Sequence, residues 1–131
     1  MNVKDFFRKA FSLLFLDERL QRGYNRHYLI FWSVFPMVKL SLVVPCYNEG
    51  ENVIPFHEAA LNAFQDCGYE IEIVYIDDGS RDATLHNLKK VYARKDCRVK
   101  IVSFSRNFGK EAGIYAGLQH ASGEYISLID A

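Results

Sequence analysis

The sequence predicts an α/β fold: a parallel sheet with helices on both faces, arranged as three layers. Beyond residue 38, short apolar segments rich in β-branched residues alternate with segments whose apolar residues recur at helical spacing. The strand segments are apolar at nearly every position, as parallel strands buried on both faces are. Of the 131 residues, 50% are hydrophobic and 24% are charged, which suits one packed domain and excludes a disordered chain.

The first predicted strand covers residues 40–44 and stops at Pro45. The first predicted helix follows, with Pro55 tolerated in its first turn, where the missing N–H has no helical partner to lose. The apolar stripe of this helix consists of Val53, Phe56, Ala60 and Phe64.

The second predicted strand is the β-branched run 71–76, which ends at Asp77. A second helix follows, and Ser80 or Asp82 is placed to cap its N-terminus. Its apolar stripe is formed by Leu85, Leu88, Val91 and Tyr92.

Residues 99–104 predict a third strand, residues 110–120 a third helix and residues 125–129 a fourth strand. Gly113 and Gly117 lie four residues apart on the third helix. This spacing predicts that the backbone of the helix packs closely against the sheet.

Residues 1–36 differ in composition from the rest of the chain: they carry six basic and three acidic groups, whereas the remainder carries ten basic and thirteen acidic groups. We therefore divide the chain into a basic, aromatic-rich extension, residues 1–36, and an α/β domain, residues 37–131. Phe7, Phe11 and Leu14 lie at helical spacing and predict an amphipathic helix on an anionic membrane surface, or a helix that packs on the domain or on a partner. A third interpretation is an extension unrelated to function, with the natural start at Met37.

No segment of the sequence predicts a transmembrane helix. The apolar run 28–38 is shorter than a bilayer core of about 30 Å requires, and Pro36 interrupts it. Equal numbers of basic and acidic groups argue against a nucleic-acid-binding protein. The three cysteines lack metal-ligand spacing and are predicted to be small buried hydrophobic residues. The four histidines share no ligand spacing, and each is predicted to lie on the surface or to cap a helix.

Polar residues follow all four predicted strands. In open α/β sheets, ligands bind beyond the carboxyl ends of the strands, so these residues are expected to converge on one site. They are Tyr47, Asn48 and Glu49 after the first strand, Asp77, Asp78 and Ser80 after the second, Arg106 and Lys110 after the third, and Asp130 after the fourth.

The chemistry of these residues predicts a pocket for a nucleotide diphosphate and a metal ion. The carboxylates of Asp77, Asp78 and Asp130 repel one another unless a cation or hydrogen-bond donors compensate. Carboxylates together with substrate phosphates bind Mg²⁺ or Mn²⁺. Arg106 and Lys110 suit a phosphate group, and the tyrosine after the first strand offers a face on which a base can stack.

Each of these residues also has a purely structural interpretation. The segment 77–80 can be only a turn and a helix cap, and Glu49 can favour the N-terminus of the following helix. Arg106 and Lys110 can be solvated surface charges. Coincidence at all four strand ends is much less expected than any one of these alternatives. The dinucleotide-binding, P-loop, nucleophile-elbow and zinc-protease motifs are absent from the sequence.

Four segments resemble the signature blocks of family 2 glycosyltransferases with the GT-A fold. Val-Val-Pro-Cys-Tyr-Asn-Glu at 43–49, Ile-Asp-Asp-Gly-Ser-Arg-Asp at 76–82 and Ile-Asp-Ala at 129–131 carry the general resemblance. Phe-Ser-Arg-Asn-Phe-Gly-Lys-Glu at 104–111 is similar to polyprenyl-phosphate glycosyltransferases, including bactoprenol glucosyltransferases and dolichol-phosphate mannose synthases. The resemblance begins near Lys39 and leaves residues 1–36 unexplained.

The resemblance implies a nucleotide-diphosphate sugar as donor and a polyprenyl phosphate at the cytoplasmic face of the cell membrane as acceptor. It also implies an inverting transfer assisted by Mg²⁺ or Mn²⁺. Asp130 would be the metal ligand, as the first aspartate of a D-x-D element, and no catalytic residue is assigned. The residues implied to bind substrate are Pro45, Tyr47, Glu49, Ile76, Asp77, Asp78, Arg106, Lys110 and Ala131.

The match departs from the family pattern at Ala131, one residue before the second aspartate of that element. With one carboxylate the element is expected to bind its metal poorly, and a terminal fourth strand is expected to fray. We therefore expect a truncated or remnant glycosyltransferase that is inactive by itself. An alternative is a non-catalytic module that binds a nucleotide sugar or a partner. A phosphoacceptor receiver domain is disfavoured because its acidic pair should follow the first strand.

Overall fold

Strands and helices alternate along the part of the chain that the computed structural model describes, residues 39–65 and 67–131. In chain order they are β1 (Lys39–Cys46), α1 (Val53–Phe64), β2 (Glu70–Asp77), α2 (Thr84–Arg94), β3 (Arg98–Ser103), α3 (Lys110–His120) and β4 (Tyr125–Leu128). The alternation predicted from the sequence is confirmed. The predicted extension, residues 1–36, lies outside the described residues. Among those described, no helix combines the length and the hydropathy that a bilayer-spanning segment requires.

The strands form one parallel sheet in the order β3-β2-β1-β4. β1 and β2 lie in the middle and pair along their full lengths, from Lys39 opposite Glu70 to Cys46 opposite Asp77. The chain moves in one direction from β1 through β2 to β3, and then returns past β1 to β4. Such a reversal creates the crevice in which open α/β sheets bind ligands.

Helices cover both faces of the sheet, so the three-layer prediction is confirmed. Successive side chains of β2 point to opposite faces. The hydroxyl of Tyr75 contacts His57 of α1, whereas the side chain of Ile76 lies against Gly113 and Gly117 of α3. A right-handed crossover places its helix on one face when the chain moves one way across the sheet, and on the other face when the chain moves the opposite way. The chain reverses its direction after β3, so α3 covers the face opposite to α1.

The two central strands supply most of the core. Leu42, Val43 and Val44 of β1 and residues 73–76 of β2 are 0% exposed. Burial on both faces explains why these strands are apolar at successive positions rather than at alternate ones. Each such side chain contributes about 1.5–3 kcal/mol relative to an exposed position.

Close packing of α3 against the sheet was predicted from its two glycines, and the structure shows it. A Cβ atom placed on Gly117 would lie 2.3 Å from Cγ1 of Val43, whereas one on Gly113 would lie 3.6 Å from Cγ2 of Ile76. Gly117→Ala is therefore expected to lower the free energy of unfolding by about 1–3 kcal/mol through overpacking. Gly113→Ala, the matched control, is expected to leave stability unchanged or to raise it by up to about 1 kcal/mol. Urea unfolding of both variants tests this, and equal effects would contradict it.

β1 continues through Pro45 to Cys46, so the prediction that the strand stops at the proline is wrong. The N–H and C=O of one strand residue point to the same neighbouring strand. The carbonyl of Val43 accepts from the N–H of Ile129, on the β4 side. The nitrogen of Pro45, two residues further, faces the same side at a point where β4 has ended at Leu128. The missing N–H therefore removes no bond between paired strands.

One prediction about the histidines is wrong. His57 is fully buried in α1, where its Nδ1 lies 3.0 Å from the hydroxyl of Tyr75 and its Nε2 lies 3.0 Å from Oδ1 of Asp96. His86 is exposed, as predicted, and His120 bonds to a carbonyl of the last turn of α3. His57 is buried because polar partners on β2 and on the segment before β3 satisfy both ring nitrogens.

The prediction that all three cysteines are buried holds for Cys46 alone, since Cys67 and Cys97 are partly exposed. Burial, and then neighbouring carboxylates, raise the pKa of Cys46 to about 12. Burial, and then the charge of Asp96, raise the pKa of Cys97 to about 11. Both thiols are therefore protonated at neutral pH.

A buried carboxylate lies at the edge of the sheet where the strands begin. Oε1 of Glu72 accepts from the hydroxyl of Ser41 at 2.9 Å and from the N–H of Ser122 at 2.8 Å. Oε2 accepts from the hydroxyl of Ser122 at 2.7 Å and lies 3.0 Å from Nζ of Lys100. Burial alone would raise the pKa of Glu72, but the bonds from Ser122, Lys100 and Ser41 outweigh it and hold the pKa at about 2. This carboxylate ties the segment before β4 to the centre of the sheet.

Candidate functional site

The loops that follow the four strands meet at the carboxyl-terminal edge of the sheet, which we call the rim. It consists of residues 46–50, 77–84, 104–110 and 129–131. The N–H of Asp78 donates to the carbonyl of Cys46, beside Tyr47, at 2.9 Å. Oδ1 of Asp78 in turn accepts from the N–H of Phe108, two residues from Arg106, at 2.7 Å. The predicted convergence of these loops is thus observed.

Backbone N–H groups that donate to side-chain oxygens hold the first loop to the second. Asn48 has a φ of 55°, a left-handed conformation that asparagine tolerates better than most residues. Its N–H donates to the hydroxyl of Ser80 at 3.0 Å, and its Oδ1 accepts from the N–H of Arg81 at 3.0 Å. The N–H of Glu49 donates to Oγ1 of Thr84 at 2.8 Å. The first loop therefore has one defined position relative to the start of α2.

The carboxylate of Asp82 joins the same two loops. Oδ2 accepts from the N–H of Gly50, and Oδ1 accepts from the N–H of Thr84, both at 2.9 Å. A Cβ atom at Gly50 would lie 2.8 Å from Oδ2, so glycine permits this close approach. The bonds from Thr84, more than those from Gly50, lower the pKa of Asp82. Of the two residues predicted to cap α2, Asp82 accepts an N–H of its first turn, whereas Ser80 instead holds the first loop.

The carboxylate of Asp78 organises the third loop. The residue is 4% exposed, and its two oxygens accept from the N–H groups of Phe108, at 2.7 Å, and Gly109, at 2.9 Å. Gly109 has a φ of 98° and directly precedes α3. Asp78 therefore determines the path of the loop that carries Arg106 and the point at which α3 begins. Any contact of Asp78 with a ligand has to use the lone pairs that these two bonds leave.

Asp77 joins the second loop to the end of β3. It is 2% exposed, and its Oδ1 accepts from the N–H of Ser80 while its Oδ2 accepts from the hydroxyl of Ser103, both at 3.0 Å. Repulsion between the adjacent carboxylates of Asp77 and Asp78 was expected to need a cation or donors. Hydrogen bonds from N–H and O–H groups to both carboxylates offset this repulsion.

Arg106 lies at the surface of the rim. A Cβ atom at Gly79, which has a φ of 66°, would lie 2.3 Å from the carbonyl carbon of Arg106, so the two loops touch through their backbones. The guanidinium carbon of Arg106 lies 4.8 Å from the centre of the Phe108 ring. This cation–π contact orients the guanidinium while its N–H groups stay open to an anion.

Lys110 and Asp130 form an exposed ion pair at the rim. Nζ of Lys110 lies 2.7 Å from Oδ1 and 3.0 Å from Oδ2 of Asp130. The side chains are 63% and 74% exposed, so the pair contributes little to stability. Both groups remain accessible to a charged ligand.

Asp130 is an exposed carboxylate of the rim. The oxygens of Asp77 and Asp78 accept hydrogen bonds from partly buried donors, whereas those of Asp130 pair with the exposed Lys110 and are themselves exposed. Mg²⁺ and Mn²⁺ are held in many nucleotide sites by one or two carboxylates together with substrate phosphates. Asp130 can supply the carboxylate ligand of such a site, and the neighbouring Lys110 can bind the same phosphates.

The remaining predicted residues are divided between the rim and the core. Tyr47 lies on the rim and is 44% exposed. Glu49 is partly buried, and its Oε2 accepts from the side chain of the asparagine three residues later at 2.6 Å. Pro45 and Ala131 are partly buried at the ends of β1 and of the chain. Ile76 is fully buried beneath α3, so its side chain is part of the core and not of the rim.

The sequence did not reveal how the rim is held together. Asn48 and Thr84 join the first two loops through side-chain oxygens that accept N–H groups, and Phe108 joins the third loop to the second through its own N–H. None of the three was singled out as a structural partner. The turn-forming residues around them were a signal for loops. Which N–H a given oxygen accepts from depends on the distance between loops that are some 30 residues apart in the chain.

Comparison with known proteins identifies a family that covers most of the chain. Residues 41–131 match the family model described as glycosyl transferase family 2. The bactoprenol glucosyl transferase of Shigella phage SfV is 48% identical over 94 residues, which cover 71% of this chain and 30% of that protein. The dodecaprenyl-phosphate galacturonate synthase of Rhizobium johnstonii is 40% identical over 93 residues, which cover 71% of this chain and 28% of that protein. The chain thus spans less than a third of these relatives.

Solved structures share the fold. Residues 1–349 of TarS from S. aureus, in complex with UDP-GlcNAc, match with a TM-score of 0.57 and 30% identity over 71% of this chain and 26% of that chain. The mannosyltransferase PcManGT from Pyrobaculum calidifontis, in complex with GDP-Man and Mn²⁺, matches with a TM-score of 0.61 and 22% identity over 79% of this chain and 33% of that chain. These neighbours confirm the predicted GT-A type of α/β fold. Because the family model matches nearly all of the described residues, the chain belongs to glycosyltransferase family 2.

Proposed function

We propose that the rim binds a nucleotide-diphosphate sugar, as the donor part of a glycosyltransferase that transfers the sugar to a polyprenyl phosphate. The observation that carries this proposal is the meeting of all four strand-end loops at one rim. There an exposed aromatic ring, Tyr47, shares a surface with two cations and an accessible carboxylate. A base, a diphosphate and a divalent cation need these three kinds of group.

The relatives support both halves of the proposal. TarS, 30% identical over the matched region, is solved in complex with UDP-GlcNAc. A bactoprenol glucosyl transferase and a dodecaprenyl-phosphate galacturonate synthase are 48% and 40% identical to this chain over 94 and 93 residues. Polyprenyl phosphates are membrane lipids, so the acceptor would be met at the membrane, for which we propose the cytoplasmic face.

Within this proposal, different residues contact or support different parts of the donor. Tyr47 stacks on the base, with Pro45 and Glu49 lining the base and ribose site. Asp77 and Asp78 contribute through the loops they hold and through their remaining lone pairs. Ile76 supports them from the core, and Ala131 lies next to Asp130 at the sugar end.

The charged residues would act on the diphosphate. Arg106 and Lys110 bind its oxygens and stabilise the negative charge that grows on the departing nucleotide. Asp130 would hold Mg²⁺ or Mn²⁺, which when bound supplies further positive charge at the same oxygens. A phosphate acceptor is anionic at neutral pH and needs no general base. Its oxygen attacks the anomeric carbon while the bond from that carbon to the nucleotide diphosphate breaks, and this single displacement inverts the configuration.

Titration calorimetry with UDP-glucose and Mn²⁺ tests donor binding. Lys110→Ala is expected to weaken binding by about tenfold, because a charge-assisted bond to the diphosphate contributes about 1.5 kcal/mol or more. Asp130→Asn is expected to remove the dependence of binding on Mn²⁺. Lys90→Ala, which removes an exposed lysine on α2 outside the rim loops, is the matched control and should bind as the unchanged chain does. No heat from the unchanged chain at millimolar UDP-glucose and UDP-GlcNAc would contradict the proposal.

A further inference from the structure

Three metal-ligating side chains converge on the other side of the molecule from the rim loops. His57 lies in the middle of α1, and Asp96 and Cys97 directly precede β3, at the edge of the sheet where the strands begin. One ligand atom from each, the imidazole nitrogen, a carboxylate oxygen and the thiol sulfur, lies within 4.8 Å of the others. The donor-binding proposal uses none of the three.

The separations approach those of a tetrahedral zinc site. Nε2 of His57 and Oδ1 of Asp96 are 3.0 Å apart. Zinc bonds of about 2.0 Å to nitrogen and oxygen require about 3.3 Å between the two atoms at a tetrahedral angle. A zinc–sulfur bond of about 2.3 Å requires the sulfur of Cys97 about 3.6 Å from each of them. From at most 4.8 Å, the thiol has to approach by at most about 1.2 Å, which rotation about its side-chain bond can supply.

A second hydrogen bond already orients the imidazole. The carboxylate of Asp96 can only accept, so Nε2 of His57 carries the proton between them, and Nδ1 accepts from the hydroxyl of Tyr75 at 3.0 Å. With a metal at Nε2, the proton resides on Nδ1 and is donated to the same hydroxyl oxygen. Ligating histidines in proteins usually donate their second N–H in this way. The ring of His57 is fully buried, so it is held in this orientation.

The surroundings leave one coordination position open. Asp96 and Cys97 line a surface cleft of about 270 Å³, whose other walls include Leu61, Phe64 and Ile71. The side chain of Asp96 is 31% exposed and Cys97 is partly exposed, so an ion can enter from solvent. A water molecule in the cleft can complete the tetrahedron.

We propose that His57, Asp96 and Cys97 form a zinc site that fastens α1 to the segment before β3, with its fourth position open to the cleft. The combination of nitrogen, oxygen and sulfur favours zinc over Mg²⁺ or Mn²⁺, which prefer oxygen ligands. When the ion binds, the hydrogen bond between His57 and Asp96 is replaced by two metal bonds, and the thiol releases its proton to solvent. This site is separate from Asp130, and the proposal does not depend on the donor site.

Cobalt substitution tests the site on the full chain. Co²⁺ is expected to bind one equivalent and to give the visible bands of tetrahedral cobalt and a near-ultraviolet charge-transfer band from a thiolate. Zn²⁺ is expected to abolish these bands by displacement and to raise the melting temperature in a concentration-dependent way, since it binds the folded state. Absence of the thiolate band together with an unchanged melting temperature would overturn the proposal.

Matched variants identify the ligands. Cys97→Ser is expected to remove the charge-transfer band and to weaken Co²⁺ binding by at least tenfold, whereas Cys67→Ser, at the other partly exposed cysteine, should retain both. Asp96→Asn changes a partly exposed side chain and is expected to fold while losing zinc affinity at least tenfold. Circular dichroism verifies the fold of each variant. A band that persists in Cys97→Ser, or that is lost in Cys67→Ser instead, would contradict the assignment.

Discussion

Glu72→Ala is expected to lower the free energy of unfolding by about 2–4 kcal/mol, because it leaves the buried hydroxyl of Ser41 and the partly buried donors of Ser122 without an acceptor. The hydroxyl of Ser41 and the N–H and hydroxyl of Ser122 all donate to this carboxylate. Lys100 is 36% exposed and can turn toward solvent, so the loss falls mainly on the two serines. Urea unfolding measures the effect. Glu70→Ala, at an exposed position of the same strand, is the matched control and should change stability by less than about 0.5 kcal/mol.

The pH dependence of stability, compared between the unchanged chain and a further variant, Glu72→Gln, gives a second test. The pKa of Glu72 is lowered from 4.5 to about 2 in the folded chain. A lowered pKa contributes stability that is complete above the unfolded value and is lost as the pH falls toward the folded value. The stability difference between the unchanged chain and Glu72→Gln is therefore expected to shrink between about pH 5 and pH 2. A difference that stays constant across this range would show that the carboxylate charge is not what stabilises the segment before β4.

Asp78→Asn is expected to lower UDP-glucose affinity by tenfold or more and to lower the free energy of unfolding by about 1.5–3 kcal/mol. An asparagine has one oxygen, so its NH₂ group would face one of the two N–H donors, those of Phe108 and Gly109. The third loop would then lose the path that places Arg106 and Lys110 at the rim. Calorimetry and urea unfolding measure the two effects. Glu111→Gln, an exposed neighbour in the first turn of α3, is the control for loss of one negative charge.

Hydrogen exchange separates a positioning role of Asp78 from a direct contact with the ligand. In the absence of nucleotide, Asp78→Asn is expected to speed exchange of the amide of Phe108 or of Gly109, whichever faces the NH₂ group, because that amide loses its acceptor. A residue that only touched the ligand would leave these rates unchanged while still weakening binding. Unchanged exchange at both amides would therefore contradict the positioning role.

Local patterns predicted most of the fold. The apolar stripe of α1 lies at helical spacing, α3 was predicted over residues 110–120, and both helices occur where the sequence places them. β1 is longer than predicted because Pro45 does not end the strand. The N–H that proline lacks would face a place where β4 has already ended. That depends on the relative lengths of two strands about 80 residues apart, which no local pattern encodes.

The roles of charged residues were harder to predict than the elements. Asp77 and Asp78 were expected at the rim and are there, but their oxygens are largely engaged in holding neighbouring loops. Glu72 and His57 lie in predicted elements, and neither was expected to be buried with a full set of hydrogen-bond partners. A charged or polar residue within an apolar pattern indicates a partner, but the pattern does not identify it.

By itself the sequence determined the order of strands and helices, the parallel sheet with two covered faces, the loops that meet at its edge, and membership of a glycosyltransferase family. These features depend on the period of apolar residues and on short motifs, both of which are local. The tertiary structure alone decided which oxygen accepts from which N–H, that Ile76 belongs to the core, and that His57, Asp96 and Cys97 lie together. Hydrogen bonds and metal sites require ångström distances between distant residues, and those distances exist only once the sheet has brought its loops and helices together.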